Sequence, residues 1–120
     1  MYQKLIIVGN LGREPELRFS DKAEAVCTFS VAVGRKVKGE DQTAWYRVTV
    51  WGNQAEPCSK YLTKGSKVLV EGQLQFDKAT GGPRVWEDKD GNSRASFEVF
   101  ASQVVFLNSK QDAPDDGDPF

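Results

Sequence analysis

Seven residues, Trp45–Trp51 (WYRVTVW), gather two indoles and a guanidinium into one short stretch. Their aromatic and β-branched character marks a β-strand. Side chains alternate along a strand, so Tyr46, Val48 and Val50 share one face, and Trp45, Arg47, Thr49 and Trp51 the other. The first face suits a core. The second offers flat π-surfaces with a cation between them, a platform for unpaired nucleic acid, in which every base has a π-face and every nucleotide a phosphate. Burial in a core or between subunits is the competing reading for two tryptophans. Arg47 and the polar Thr49 weigh against a second core. Lys4, Arg13, Arg18, Arg35, Lys36 and Lys38 come from elements that would adjoin this strand in a small barrel. A third indole, Trp86, sits beside Arg84 in a polar stretch and reads either as a ligand contact or as a lid on the domain. Phe19 has a similar choice, with the core as the stronger expectation. Lys64 and Lys67 flank Gly65 and read as solvated charges near a helix end.

Other chemistries find no residues. The chain has no histidine, and Cys27 and Cys58 lack CxxC spacing, which argues against a zinc site and any His-dependent triad. Glu14 and Glu16 flank Pro15 in a charged segment with no apolar pocket to shift a pKa. Gly9 to Gly12 is too short for a phosphate-binding glycine loop. Neither an enzyme nor a cofactor is expected.

At 120 residues the chain supports one domain with one core. No apolar run exceeds four residues, too few to span a membrane as a helix. With strand-like sequence from the start and no signal or transit pattern, a cytoplasmic protein is the expectation. There Cys27, alternating with Ala25, Phe29 and Val31, reads as a free core thiol, a disulfide being the minority reading. The formal net charge of −1 hides an asymmetry: four of the 17 acidic residues (Asp112, Asp115, Asp116, Asp118) lie in the last nine. Residues 1–111 keep 16 basic against 13 acidic residues, a net of +3. The body is mildly basic and the tail acidic.

The elements that would hold the platform follow from periodicity and turn signals. Strands are expected at 4–12, 25–34, 44–51, 67–76 and 96–108, with 13–19 a loop or edge segment and 34–42 a basic loop. In the second strand Ala25, Cys27, Phe29, Val31 and Val33 point inward, and Val26, Thr28, Ser30 and Ala32 outward. Asn53 followed by Glu56 predicts a capped helix ending at Lys64–Gly65. Residues 77–95 predict an extended hairpin tip with 84–86 paired within it. Glycines such as Gly9 and Gly72 fall where strands must bend. An all-β fold follows: a five-stranded Greek-key barrel of the OB type, with one short helix between strands three and four. The barrel domain is expected over 1–108, and a short, disordered acidic tail over 109–120.

The segments VGNLGREPELRF, WYRVTVWGNQAE and YLTKGSKVLVEGQL, with the terminal DDGDPF, resemble the bacterial single-stranded DNA-binding protein family from about Lys4 to Leu107 and again at the C-terminus. The resemblance implies an OB-fold homotetramer, nucleoid-associated, that binds single-stranded DNA without sequence preference during replication, recombination and repair. It puts stacking on Trp45 and Trp51, with Trp86 standing in for a nearby family tryptophan, and basic contacts on Lys4, Arg18, Arg47 and Lys64. Arg35, Lys36 and Lys38 are candidate phosphate contacts from charge alone. Val37 stands where many relatives have tryptophan, and Gln75 and Asp77 where they have basic residues. An RNA-binding or primosome-type OB module is the alternative.

The resemblance also assigns the tip, Asp115, Asp116, Asp118, Pro119 and Phe120, to docking of replication, recombination and repair proteins. Phe120 suits an apolar pocket and the aspartates its basic rim. Roughly a dozen residues, about 40 Å fully extended, separate Leu107 from the end, where relatives usually have a long Gly/Pro/Gln-rich stretch. An acidic tail so close should compete weakly with DNA for the basic face. Deletion of residues 112–120 is expected to tighten DNA binding at low salt and to matter little at high salt, as measured by anisotropy titration. Unchanged low-salt affinity would contradict this.

Overall fold

The computed structural model describes residues 1–107. Its strands are β1 (Leu5–Leu11), β2 (Glu16–Phe19), β3 (Ala25–Val37), β4 (Glu40–Trp51), β5 (Lys67–Leu74), β6 (Val85–Glu87), β7 (Ser93–Ala95) and β8 (Phe97–Phe106), with one helix, α1 (Ala55–Tyr61), between β4 and β5. Five of them close into a barrel in the order β1-β5-β8-β4-β3, completed by β1 pairing back onto β3 at Asn10–Ala32 and Leu11–Val31. The pairs are antiparallel except β4–β8, which is parallel. The expected all-β barrel with a helix between its third and fourth barrel strands is therefore present.

Alternation builds the interior. Val31, Val48, Val50, Val68, Val70 and Val99 are fully enclosed, each burial contributing about 1.5–3 kcal/mol relative to exposure. Ala55, Cys58 and Leu62 from α1 and its C-terminal end join the same core. Cys27 and Cys58 are free and buried, and burial pushes their thiols up to about 11 and about 12. Strand curvature is set at two glycines. A Cβ on Gly9 would lie 2.2 Å from the Ala32 carbonyl oxygen, and one on Gly72 2.2 Å from that of Phe100. Gly72 is also where the β5–β8 register shifts, so it is a bulge position.

Several local expectations are corrected. Residues 34–42 are not a loop. β3 and β4 stay paired out to Val37–Glu40, and Lys38 (φ 52°) and Gly39 (φ 83°) close a tight turn with two positive φ angles, the type that matches strand twist. The capping box at Asn53 does not form. Gly52–Gln54 make a 3-10 turn, and α1 starts after Gln54 with no side-chain cap. Gln54 instead ties the helix to β8: its Nε2 donates to the Ser102 carbonyl (2.8 Å) and its Oε1 accepts from the Val104 amide (3.1 Å). The helix ends at Tyr61, because Leu62 turns extended to enter the core. Val26 and Thr28 point outward yet are covered, being flanked by β2 on one side and β4 on the other. Phe19, expected in the core, is exposed on the edge strand β2.

Gly72→Ala is expected to destabilise the barrel by about 1–3 kcal/mol, since the neighbours it would strike are backbone atoms that cannot swing away. Urea denaturation measures this, and a midpoint equal to wild type would contradict the assignment of Gly72 as a closing position.

Candidate functional site

Strand β4 runs between β3 and β8, so its outer face is the middle of a continuous surface. Val48 and Val50 are buried, and Trp45, Arg47 and Trp51 are exposed on the opposite side, as the alternation requires. The registers line up rows across the surface. Arg18 on β2, Val26 on β3 and Trp51 on β4 form one. Thr28, Thr49, Phe100 and Gln73 form the next, from β3 through β4 and β8 to β5. Ser30, Arg47 and Glu98 form a third, and Ala32 and Trp45 end the series.

Each aromatic has a defined seat. The Trp45 indole, 53% exposed, lies over Gly12, where a Cβ would come within 2.4 Å of its Cζ3. Trp51 meets Phe100 edge-on, with ring centroids 4.5 Å apart at 84°. Such pairing fixes ring orientation and is worth about 0.5–1.5 kcal/mol beyond area burial. Trp86, on the β6–β7 hairpin, is joined to the same surface through Arg84. That guanidinium lies 4.7 Å from the Trp86 ring centroid and donates from Nε to Glu98 (2.9 Å), whose register partner is Arg47. The hairpin itself is held by Asp88, which accepts from the Asp90 and Asn92 amides and from Arg94 Nε. The Arg94 hydrogen bond, helped by the Asn92 and Asp90 amides, keeps its carboxyl below the usual range.

The candidate cations separate into groups. Arg18 and Arg47 have no hydrogen-bond or ion-pair partner among the described residues, and both belong to the aromatic surface. Lys4 pairs with Glu71 (3.2 Å). Lys36 is on the platform side of the β3–β4 arm and pairs loosely with Asp41, at 3.9 Å. Lys38 occupies the arm's turn. Arg35 does not join the platform: by alternation it shares the opposite side with Val33 and Tyr46, and its Nε donates to Gln42 (3.1 Å). Lys64 follows α1, its backbone amide donating to Glu14 (3.1 Å) in a segment tied to the end of β1 by the Gly65 amide donating to the Leu11 carbonyl. Asp115, Asp116, Asp118, Pro119 and Phe120 lie outside the described residues.

Phe100 was not among the candidates read from the sequence. The signal was present in SFEVFASQVVF, where an inward Val99 forces Glu98 and Phe100 outward, but its neighbourhood depends on the β4–β8 pairing. Among the described residues no cluster could hold a metal ion, and no helix is long and apolar enough to cross a membrane. The surface can stack planar rings and attract anions, and it holds no nucleophile–base pair.

The sequence pattern of the Single-strand binding protein family matches residues 2–107. The chain belongs to that family. Its relatives include the single-stranded DNA-binding proteins of Neisseria meningitidis serogroup A (strain Z2491) and serogroup B (strain MC58), each 34% identical over 91% of this chain and 62% of their own length. Single-stranded DNA-binding protein 1 of Xylella fastidiosa (strain 9a5c) is 36% identical over 91% of this chain and 79% of its own length. The chain thus spans less than two thirds of the Neisseria relatives. Family members are binding proteins and not enzymes.

Gly12→Ala is expected to displace the Trp45 indole while leaving the barrel intact, because the ring can swing where backbone could not. Tryptophan emission and acrylamide quenching should change, and the change should vanish in a Trp45→Phe background. Spectra identical to wild type would contradict the seat described for Trp45.

Proposed function

We propose that this chain binds single-stranded DNA without sequence preference, stacking bases on Trp45 and Trp51, with Trp86 at the rim, and pairing phosphates with Arg18, Arg47 and neighbouring lysines. The observation that carries this is two exposed indoles on one strand face with a guanidinium between them that has no partner among the described residues. A buried structural role would have covered the rings and given Arg47 a carboxylate, since unpaired guanidinium in an interior is costly. π-Faces and phosphates are common to all nucleotides, so recognition through them is tolerant of sequence. The names of the relatives support the same reading.

Around this activity stand the wider roles: protection of single strands in replication, recombination and repair, in the cytoplasm with the nucleoid, and recruitment of partner proteins by the acidic tip. Assembly into a homotetramer is part of the reading. It is supported by an outer face on β1, β5 and β8 where Ile6, Val8, Leu69 and Val105 form an apolar patch that copies of the chain could cover.

Trp51→Ala is expected to weaken binding of oligo(dT) about 5- to 150-fold, the equivalent of about 1–3 kcal/mol that base stacking in this very type of protein contributes. Arg47→Ala should flatten the salt dependence by about 0.7 in log–log slope. Wild-type affinity and slope in both variants would overturn the assignment.

A further inference from the structure

Beyond Phe100 the surface dips. Tyr2, Lys4, Gly72, Gln73, Phe100 and Ser102 line a cavity of about 330 Å³, at the lower end of the range for small-molecule sites, about 300–1,000 Å³. We infer that this cavity is a base subsite that extends the platform past Trp51, with Phe100 as its stacking wall and Lys4 as its phosphate contact. The inference rests on the proposed binding of single-stranded DNA and adds residues to that site.

Four features carry it. Phe100 is 42% exposed and belongs to the same outer row as Thr49, so its ring is continuous with the face that carries Trp51. Its edge-on contact with Trp51 leaves the two rings nearly perpendicular, at 84°. Two perpendicular rings cannot stack parallel bases, so a strand crossing both must turn between them, and the cavity lies on the Phe100 side. The floor is backbone: Gly72, with no side chain, lies directly against the Phe100 carbonyl, where a Cβ would come within 2.2 Å. The rim is polar and cationic. Gln73 is the register partner of Phe100, and Lys4 precedes Leu5, whose partner is Gly72, so Lys4 and Gln73 are neighbours across the β1–β5 pair. Lys4 forms an ion pair with Glu71 at 3.2 Å, and its side chain remains 43% exposed, leaving donors of its ammonium for a phosphate. An apolar wall, an amide and an ammonium around a hollow of this size match a nucleobase with its phosphate.

The test is a length series of fluorescent oligo(dT), from about 4 to 16 nucleotides, the span of one OB-fold, titrated into the full chain and into Phe100→Ala, Phe100→Tyr and Trp51→Ala. Phe100→Ala should lose less on the shortest oligomers, where only its edge-on support of Trp51 is missing, than on longer ones, where a further loss of about 5- to 150-fold should appear. Phe100→Tyr should bind as wild type does at every length, because it keeps the ring. Lys4→Gln should lower the salt slope only for the lengths at which Phe100→Ala shows that further loss. Phe100→Ala equal to wild type at all lengths, while Trp51→Ala is impaired, would overturn the subsite and spare the platform. An equal loss at every length would make Phe100 a brace for Trp51 and would also overturn it. If wild type bound no oligomer, the proposed function itself would fail and the subsite with it.

Discussion

Val48 and Val50 are sealed inside the barrel, and the two-residue period of an extended strand then commits Trp45, Arg47, Thr49 and Trp51 to the outside. β4 is hydrogen-bonded on both edges, to β3 over 12 residue pairs and to β8 in parallel. Its register has little freedom to slip. A one-residue shift would bury the indoles and expose the valines, so the core and the platform are two consequences of one alignment. The bends at Gly9 and Gly72 serve the same end, since without them β1 and β5 could not close the barrel that grips β4.

On that frame, charge is sorted by what it touches. Arg18 and Arg47 have no partner among the described residues and lie beside the exposed aromatics, where phosphate would be their counter-ion. Arg84 is held by Glu98 and in turn holds Trp86, so an acidic residue in the middle of the surface orients the hairpin. Lys36 and Asp41 remain so exposed that their ion pair contributes little. The hairpin residues Asp88 and Arg94 are structural, closing a turn well supplied with its own hydrogen bonds.

Much of this was legible in the sequence because it depends on local periodicity. The strand order of apolar residues, the helix between β4 and β5, the glycines at the bends and the outward pair of tryptophans all follow from neighbours within a few positions. What was not legible depends on distant segments. Phe100 acquires its role only because β8 runs parallel to β4, bringing residues 51 positions apart into register at Thr49 and Phe100. The charged stretch 34–42 looks like a loop by composition, yet it is a strand pair that needs only the Lys38–Gly39 turn to form. Arg35 was grouped with its basic neighbours, but alternation along that same arm turns it to the other side. Asn53 failed as a cap because Gly52, at φ 71°, opens a tighter turn first.

The central claim is that the exposed indoles of β4 meet bases directly. Intrinsic tryptophan fluorescence, followed during titration with oligo(dT) at low and high salt, tests it most simply. The structure predicts deep, saturable quenching at both salts, with the midpoint moving to higher oligonucleotide concentration as salt rises. Fluorescence that stays flat while an independent assay shows the oligonucleotide bound would mean that DNA meets another surface, and the account would be wrong.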